Sequence, residues 1–215
     1  VKVIVYGASG MVGYGVLREC LLDPDITEVL VVGRSSLGRQ HEKLKEIVLP
    51  DLADQAGVDF SGYDACFYCL GVSSGGMSEE KYRRITYDFT MAAARRLAEV
   101  NPDATFIYVS GLGTDSTEKG RTMWARVKGK TENDVLALFP KAYMFRPGYI
   151  EPMHGAKSRT RLYQVFLTIL RPIFPLVRRF SWATSTEQIG KAMIGVAKHG
   201  SLEKILAPKA INAVR

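Results

Sequence analysis

Cysteine is scarce in this chain. Three residues in 215, Cys20, Cys66 and Cys69, form an odd set, which points to a reducing, cytoplasmic setting rather than a disulfide-stapled one. Long apolar runs are missing too. The longest, Leu162 to Val177, is cut by Gln164, Arg171, Pro172 and Pro175, which excludes a spanning helix. We read no internal repeat, low-complexity tract or signal peptide, and no Pro/Gly/Ser-rich linker divides the chain. Acidic side chains are absent from one stretch. Between Pro152 and Phe180 there are six basic residues (Lys157, Arg159, Arg161, Arg171, Arg178, Arg179) and no Asp or Glu.

With 47% apolar residues in 215, the chain can bury a full core as one domain, 1–215. Its net charge of +7 comes mostly from the 152–180 segment, where the basic residues alternate with leucine, isoleucine, valine and phenylalanine. Three readings compete there: a lid over a substrate cleft, a self-association surface that would make a homo-oligomer, or a peripheral membrane contact. Lid or interface ranks first. Nucleic acid is not an expected partner, because the basic cluster comes with no recognised reading module.

The chain begins Val-Lys-Val-Ile-Val-Tyr-Gly-Ala-Ser-Gly-Met-Val-Gly. A short apolar strand runs straight into glycines at 7, 10 and 13, and helical periodicity follows (Val12, Val16, Leu17, Cys20, Leu21). The physical reading is a dinucleotide cradle. Gly7 makes the tight turn, Gly10 lets a pyrophosphate approach the backbone, and Gly13 lets the helix sit against the sheet. Gly7-Ala8-Ser9-Gly10-Met11-Val12-Gly13 then offers backbone N–H groups at a helix N-terminus. The spacing is G-x-x-G-x-x-G. A second strand, Val29 to Val32, ends in Gly33-Arg34-Ser35-Ser36. An NAD site usually has an acidic residue there for the ribose 2′-hydroxyl. Arg34 would instead pair with a 2′-phosphate, with Ser35 and Ser36 as neutral donors, so NADP is expected and NAD fits less well.

Strands are expected near 1–6, 28–33, 46–49, 64–70, 104–109, 142–146 and weakly 203–206. Helices are expected near 11–22, 78–100, 123–138, 160–170 and 186–198. Strands separated by helical crossovers give an α/β fold, a doubly wound parallel Rossmann sheet. Its ligands sit beyond the carboxyl ends of the strands. Cys66-Phe67-Tyr68-Cys69 invites a metal or redox reading, but residues i and i+3 of a strand face opposite ways. No metal site is expected.

On these residues, with Asp51-Leu52 after the third strand, Cys69-Leu70-Gly71 after the fourth, Val109-Ser110-Gly111 after the fifth and Arg146-Pro147-Gly148 after the sixth, the chain resembles the short-chain dehydrogenase/reductase superfamily. Thr186-Glu187-Gln188-Ile189-Gly190 fits the same pattern. More narrowly, it is similar to atypical members related to the HIV Tat-interacting protein and to nucleotide-sugar epimerases. The resemblance implies that Asp51 bonds the adenine amine with Leu52 beside the ring, and that Leu70 and Gly71 pass under the nicotinamide-side ribose. It implies that Lys128 holds the ribose hydroxyls, that Pro147, Gly148 and Ile150 flank the nicotinamide, and that Ser110 is the catalytic serine.

One position departs from the family. The superfamily places Tyr-x-x-x-Lys on a helix, one turn apart, so that the lysine lowers the phenol's pKa from about 10. Here the run is Trp124-Ala125-Arg126-Val127-Lys128, and an indole does not titrate near neutrality. Tyr87, Tyr149 and His154 are candidate substitutes. The expectation is an NADP-binding oxidoreductase-like protein acting on a small carbonyl or hydroxyl substrate, with Ser110 and Lys128 at the reaction centre and Trp124 shaping the pocket. The alternative is a catalytically weak NADP-binding regulator or scaffold.

Overall fold

The computed structural model describes residues 1–157 and 182–214. The helix expected near 160–170, and the basic apolar segment beyond Lys157, lie outside the described residues. In chain order the elements are β1 (Lys2–Tyr6), α1 (Met11–Leu22), β2 (Glu28–Gly33), β3 (Leu44–Val48), β4 (Ala65–Tyr68), α2 (Glu79–Arg83) and α3 (Phe89–Val100). β5 (Thr105–Val109), α4 (Met123–Leu138), β6 (Ala142–Phe145) and β7 (Tyr149–Glu151) follow, then β8 (Ala183–Ser185), α5 (Thr186–His199), β9 (Ile205–Leu206) and α6 (Pro208–Ala213). Arg84–Asp88, between α2 and α3, is wound as a π-helix.

Seven strands pair in parallel in the order β3-β2-β1-β4-β5-β6-β9. The chain therefore leaves β1 toward one edge and, after β3, returns to its other side at β4. That reversal leaves a crevice above the carboxyl ends of β1 and β4.

Strand alternation builds two different cores. Ile4, Tyr6, Cys66, Tyr68, Phe106 and Tyr108 face one side of the sheet, where aromatic rings stack: Tyr6 on Tyr68 with centroids 5.0 Å apart, Phe106 on Phe139 at 5.3 Å. α3 and α4 close this face. Val3, Val5, Val29, Val31 and Ile107 face the other, a mainly aliphatic layer under α1 and α5. Cys66 belongs to the first core and Cys69 packs against the second, so the two thiols sit on opposite faces as their spacing requires. All three cysteines are free.

Three features were not expected. The single helix expected near 78–100 is divided into α2 and α3 by the π-helical turn. β7 and β8 pair as a separate parallel ribbon, Tyr149 opposite Ala183, and α6 is a six-residue helix opened by Pro208. Three-residue strands are too short to show periodicity, and their partner lies more than thirty residues away.

Candidate functional site

The residues that follow β1, β4, β5 and β6 converge on one cleft of about 720 Å³. Gly7, Ser9, Gly10, Met11 and Val12 form its floor from the β1 end, and Arg34 stands at its rim. Leu70, Gly71, Ser110, Trp124, Lys128, Pro147, Gly148 and Ile150 complete the walls. A smaller space of about 280 Å³ adjoins it, lined by Ala8, Val32, Ser35 and Leu52 and sharing Gly7, Ser9, Arg34 and Leu70. Most of the sequence-expected positions are thus brought together across five strand ends.

The floor is built from backbone. Gly7 has φ +77°, and a Cβ there would lie 2.6 Å from the Leu70 nitrogen. A Cβ on Gly13 would lie 2.5 Å from the Gly7 carbonyl carbon and closer still to its oxygen. Both sites therefore exclude every side chain, and the result is that α1 begins hard against the turn. Gly10 caps α1 without a side-chain bond, and the first turn holds no acidic residue. The N–H groups of that turn and the positive end of a 12-residue helix are left to a ligand. This donor set fits a pyrophosphate. Arg34 is exposed and has no ion pair among the described residues, so its guanidinium is available at the neighbouring rim.

The opposite wall is built from side chains. Ser110 follows β5 and is buried. Its hydroxyl donates to Glu132 Oε1 at 2.5 Å and approaches the Phe145 carbonyl oxygen at 3.2 Å. Glu132 is fully buried on α4. Arg146, at the end of β6, donates Nε–H to Glu132 Oε1 at 3.0 Å and a second bond from Nη2 to Oε2, while Nη2 also reaches Ser116 Oγ at 2.5 Å. Lys128, one turn before Glu132, donates to the Ser110 carbonyl oxygen. Burial lowers its pKa to about 8, with the Glu132 charge opposing the fall. Trp124 lines the cleft one turn earlier, its ring edge beside Gly113.

Several expected residues lie elsewhere. Asp51 lines neither space: its Oδ2 accepts from Arg84 at 2.7 Å and its Oδ1 from the Ala53 N–H at 3.0 Å. The three candidate substitutes for the missing tyrosine do not line the cleft either. Tyr87 lies in a separate depression between α2, the π-turn and α4, donating to Asp134 at 2.5 Å. Burial and that carboxylate push its phenol up, the wrong direction for a neutral-pH acid. His154 Nε2 lies 2.6 Å from Glu187. Tyr149 lines a different cavity, on the β7–β8 ribbon. Cys69 does border the cleft, and burial pushes its thiol pKa up.

Glu132 and Arg146 were not among the expected site residues. Glu132 carries one cue in the sequence, its i+4 spacing from Lys128 on a helix face. Its contact with Ser110, 22 residues away, has no such cue. Among the described residues no group of three or more His, Cys, Asp or Glu could hold a metal, and no helix is long and apolar enough to cross a membrane.

No family-level sequence profile matches the chain. It is similar to HTATIP2 of Rattus norvegicus, 29% identical over 154 residues that cover 69% of this chain and 62% of that protein. It is likewise similar to the mitochondrial protein FMP52-2 of Scheffersomyces stipitis, 29% identical over 151 residues, covering 68% and 65%. The chain thus spans less than two thirds of the length of these relatives. Because FMP52-2 is named as mitochondrial, a low cysteine count does not single out the cytoplasm. Among solved structures, it superposes on the Bordetella bronchiseptica enzyme WbmF in complex with NAD+ at TM-score 0.70. The identity is 14%, over 98% of this chain and 76% of that one. Gre2 of Candida albicans in complex with NADPH gives 0.69 at 13% identity, covering 96% and 78%. At such identities the likeness establishes the fold.

Proposed function

We propose that this chain, which carries the Rossmann fold of the atypical short-chain dehydrogenases/reductases and is a relative of HTATIP2 and the FMP52 proteins, is an NADP-binding oxidoreductase-like protein acting on a small carbonyl or hydroxyl compound. The observation that carries this reading is the side-chain-free cradle at Gly7–Gly13 with Arg34 at its rim. Backbone N–H groups of α1 would take the pyrophosphate, and Arg34 with Ser35 the 2′-phosphate. Leu52 would lie against the adenine, Lys128 would hold ribose hydroxyls, and Pro147, Gly148 and Ile150 would flank the nicotinamide. Neighbouring folds bind either NAD+ or NADPH, so the choice of NADP rests on Arg34. When bound, the nicotinamide would supply or accept a hydride at the cleft wall that Ser110, Trp124 and Lys128 form.

Calorimetric titration tests the cofactor. NADP(H) should bind at least tenfold more tightly than NAD(H), about 1.4 kcal/mol, a reasonable yield for one charge-assisted phosphate contact. Arg34→Ala should erase that preference and leave NAD(H) affinity nearly unchanged. Equal affinity for the two cofactors in the unmodified protein would refute it.

Trp124 favours a second reading, a cofactor-bound regulator with weak turnover, because the indole removes the usual proton donor. Trp124→Tyr separates the two. If the wall is otherwise built for carbonyl reduction, this variant should gain about 10–100-fold in NADPH-dependent turnover of small ketones and aldehydes. Trp124→Phe, which only makes room, should not. A Phe variant matching the Tyr variant would show that residue 124 acts through space alone.

A further inference from the structure

Glu132 is the fully buried charge of this site. It receives the Ser110 hydroxyl and both arms of the Arg146 fork. A serine hydroxyl has one hydrogen to give. With that hydrogen directed at Glu132, Ser110 can accept a bond from a ligand hydroxyl but has none left to donate to a carbonyl oxygen. The proton that carbonyl reduction consumes must come from another group, and one that titrates. An indole does not titrate, a guanidinium does not give up its proton in proteins, and burial disfavours the Cys69 thiolate. Among the titratable described residues lining the cleft, Lys128 remains: of its three ammonium hydrogens one goes to the Ser110 carbonyl oxygen and one would be shared by the ribose hydroxyls, which leaves the third for a substrate oxygen.

We propose that Lys128 is the proton donor and acceptor of this cleft, and that Glu132 is the positioning residue behind it, drawing the Ser110 hydrogen away and holding Lys128 as an ammonium. This rests on the proposed carbonyl chemistry. Reduction of a carbonyl needs one hydride, which NADPH supplies in becoming NADP+, and one proton. The proton leaves Lys128 Nζ for the developing alkoxide oxygen, and the neutral amine then regains one from water. Oxidation of a hydroxyl runs the same transfer backward.

The charges around Lys128 set the direction. Glu132 on α4 favours the ammonium, and burial opposes it. Arg146, after β6, is engaged by Glu132. Arg34, after β2, and Cys69, after β4, border the same cleft. The outcome, a pKa of about 8, leaves Lys128 mostly protonated at neutral pH and able to release its proton. Reduction should therefore weaken as pH rises through about 8, and oxidation should strengthen.

The closing experiment follows the lysine itself. In protein carrying 13C/15N-labelled lysine, the Nζ signal of Lys128, assigned with Lys128→Arg, should titrate near 8 while exposed lysines titrate above about 10. Glu132→Gln removes the charge and should bring the midpoint to about 7 or lower. The kcat for 9,10-phenanthrenequinone reduction by NADPH should fall with the same midpoint in each protein. A wild-type midpoint above 10 overturns the proposal without any variant, which covers the case in which Glu132→Gln fails to fold. Turnover whose pH profile ignores the Lys128 midpoint, or no turnover in a protein that binds NADPH, overturns the proton-transfer role. Failure to bind NADPH at all instead defeats the cofactor reading, and the titration still reports whether Glu132 governs Lys128.

Discussion

The two walls of the cleft are made of different material. On the β1 side, Gly7 and Gly13 work by having nothing beyond Cα, and the ligand-facing donors are N–H groups of α1. On the α4 side, Ser110, Lys128, Glu132 and Arg146 work through side chains that meet from three elements. The first wall is local: all of its parts fall within seven consecutive residues. The second is assembled by the sheet, which brings the ends of β5 and β6 beside α4. A backbone cradle tolerates no addition, whereas a side-chain network tolerates no removal of one partner alone.

Gly13→Ala should break the first wall with the largest effect. The added carbon would collide with the Gly7 carbonyl and, at 2.9 Å, the Ala8 Cα. Both are backbone atoms that cannot step aside. A loss of about 4 kcal/mol or more in stability is expected, with NADP(H) affinity down at least ~100-fold; denaturant unfolding and calorimetry would measure both. Near-normal values would mean that α1 can slide outward and that the close approach is not required.

Glu132→Ala should break the second wall almost as severely. It leaves a part-buried Arg146 without its carboxylate and Ser110 without its acceptor, a change that typically costs about 3–5 kcal/mol in a buried pair. Urea melts should register it. Replacing both partners, Glu132→Leu with Arg146→Met, should recover most of that loss, because the uncompensated charge is gone. A single variant as stable as wild type would show that water reaches the pair.

The same contrast explains what the sequence reveals. The Gly7–Gly13 turn, Arg34 and the order of strands and helices are written in local spacing and period. The parallel sheet and the cleft-lining register of Leu70, Ser110 and Pro147 follow from them. Trp124 was visible as a departure because its partner Lys128 lies one turn away. Glu132 was not visible, since an i+4 carboxylate on a helix reads as a surface ion pair until the Ser110 hydroxyl and the Arg146 fork are seen to close on it. Tyr87 misled for the converse reason. Its residue type suits acid–base work, but the π-turn and α4 turn it toward Asp134, flanked by Arg83 and Lys130 at 5.1 and 5.3 Å from its ring.

Asp51 offers the smallest and sharpest test, because the resemblance puts it beside the adenine and the carboxylate instead faces Arg84. Both side chains of the pair are about half exposed, 45% for Asp51 and 59% for Arg84. An ion pair in that setting contributes about 0–1 kcal/mol, too little to hold the carboxylate against a ligand. Each carboxylate oxygen also retains a lone pair beyond the bonds it already accepts from Arg84 and the Ala53 N–H. An adenine amine could therefore be accommodated without breaking either bond. Arg84→Ala should change NADP(H) affinity less than ~2-fold. Asp51→Ala should weaken it by about 3–10-fold if the carboxylate reaches the adenine, about 0.7–1.4 kcal/mol, the yield of one ordinary hydrogen bond at an exposed site. Nicotinamide mononucleotide, which has no adenine, separates a direct contact from a loop effect. Its affinity should be untouched by Asp51→Ala, and an equal loss for both ligands would place Asp51 outside the site altogether.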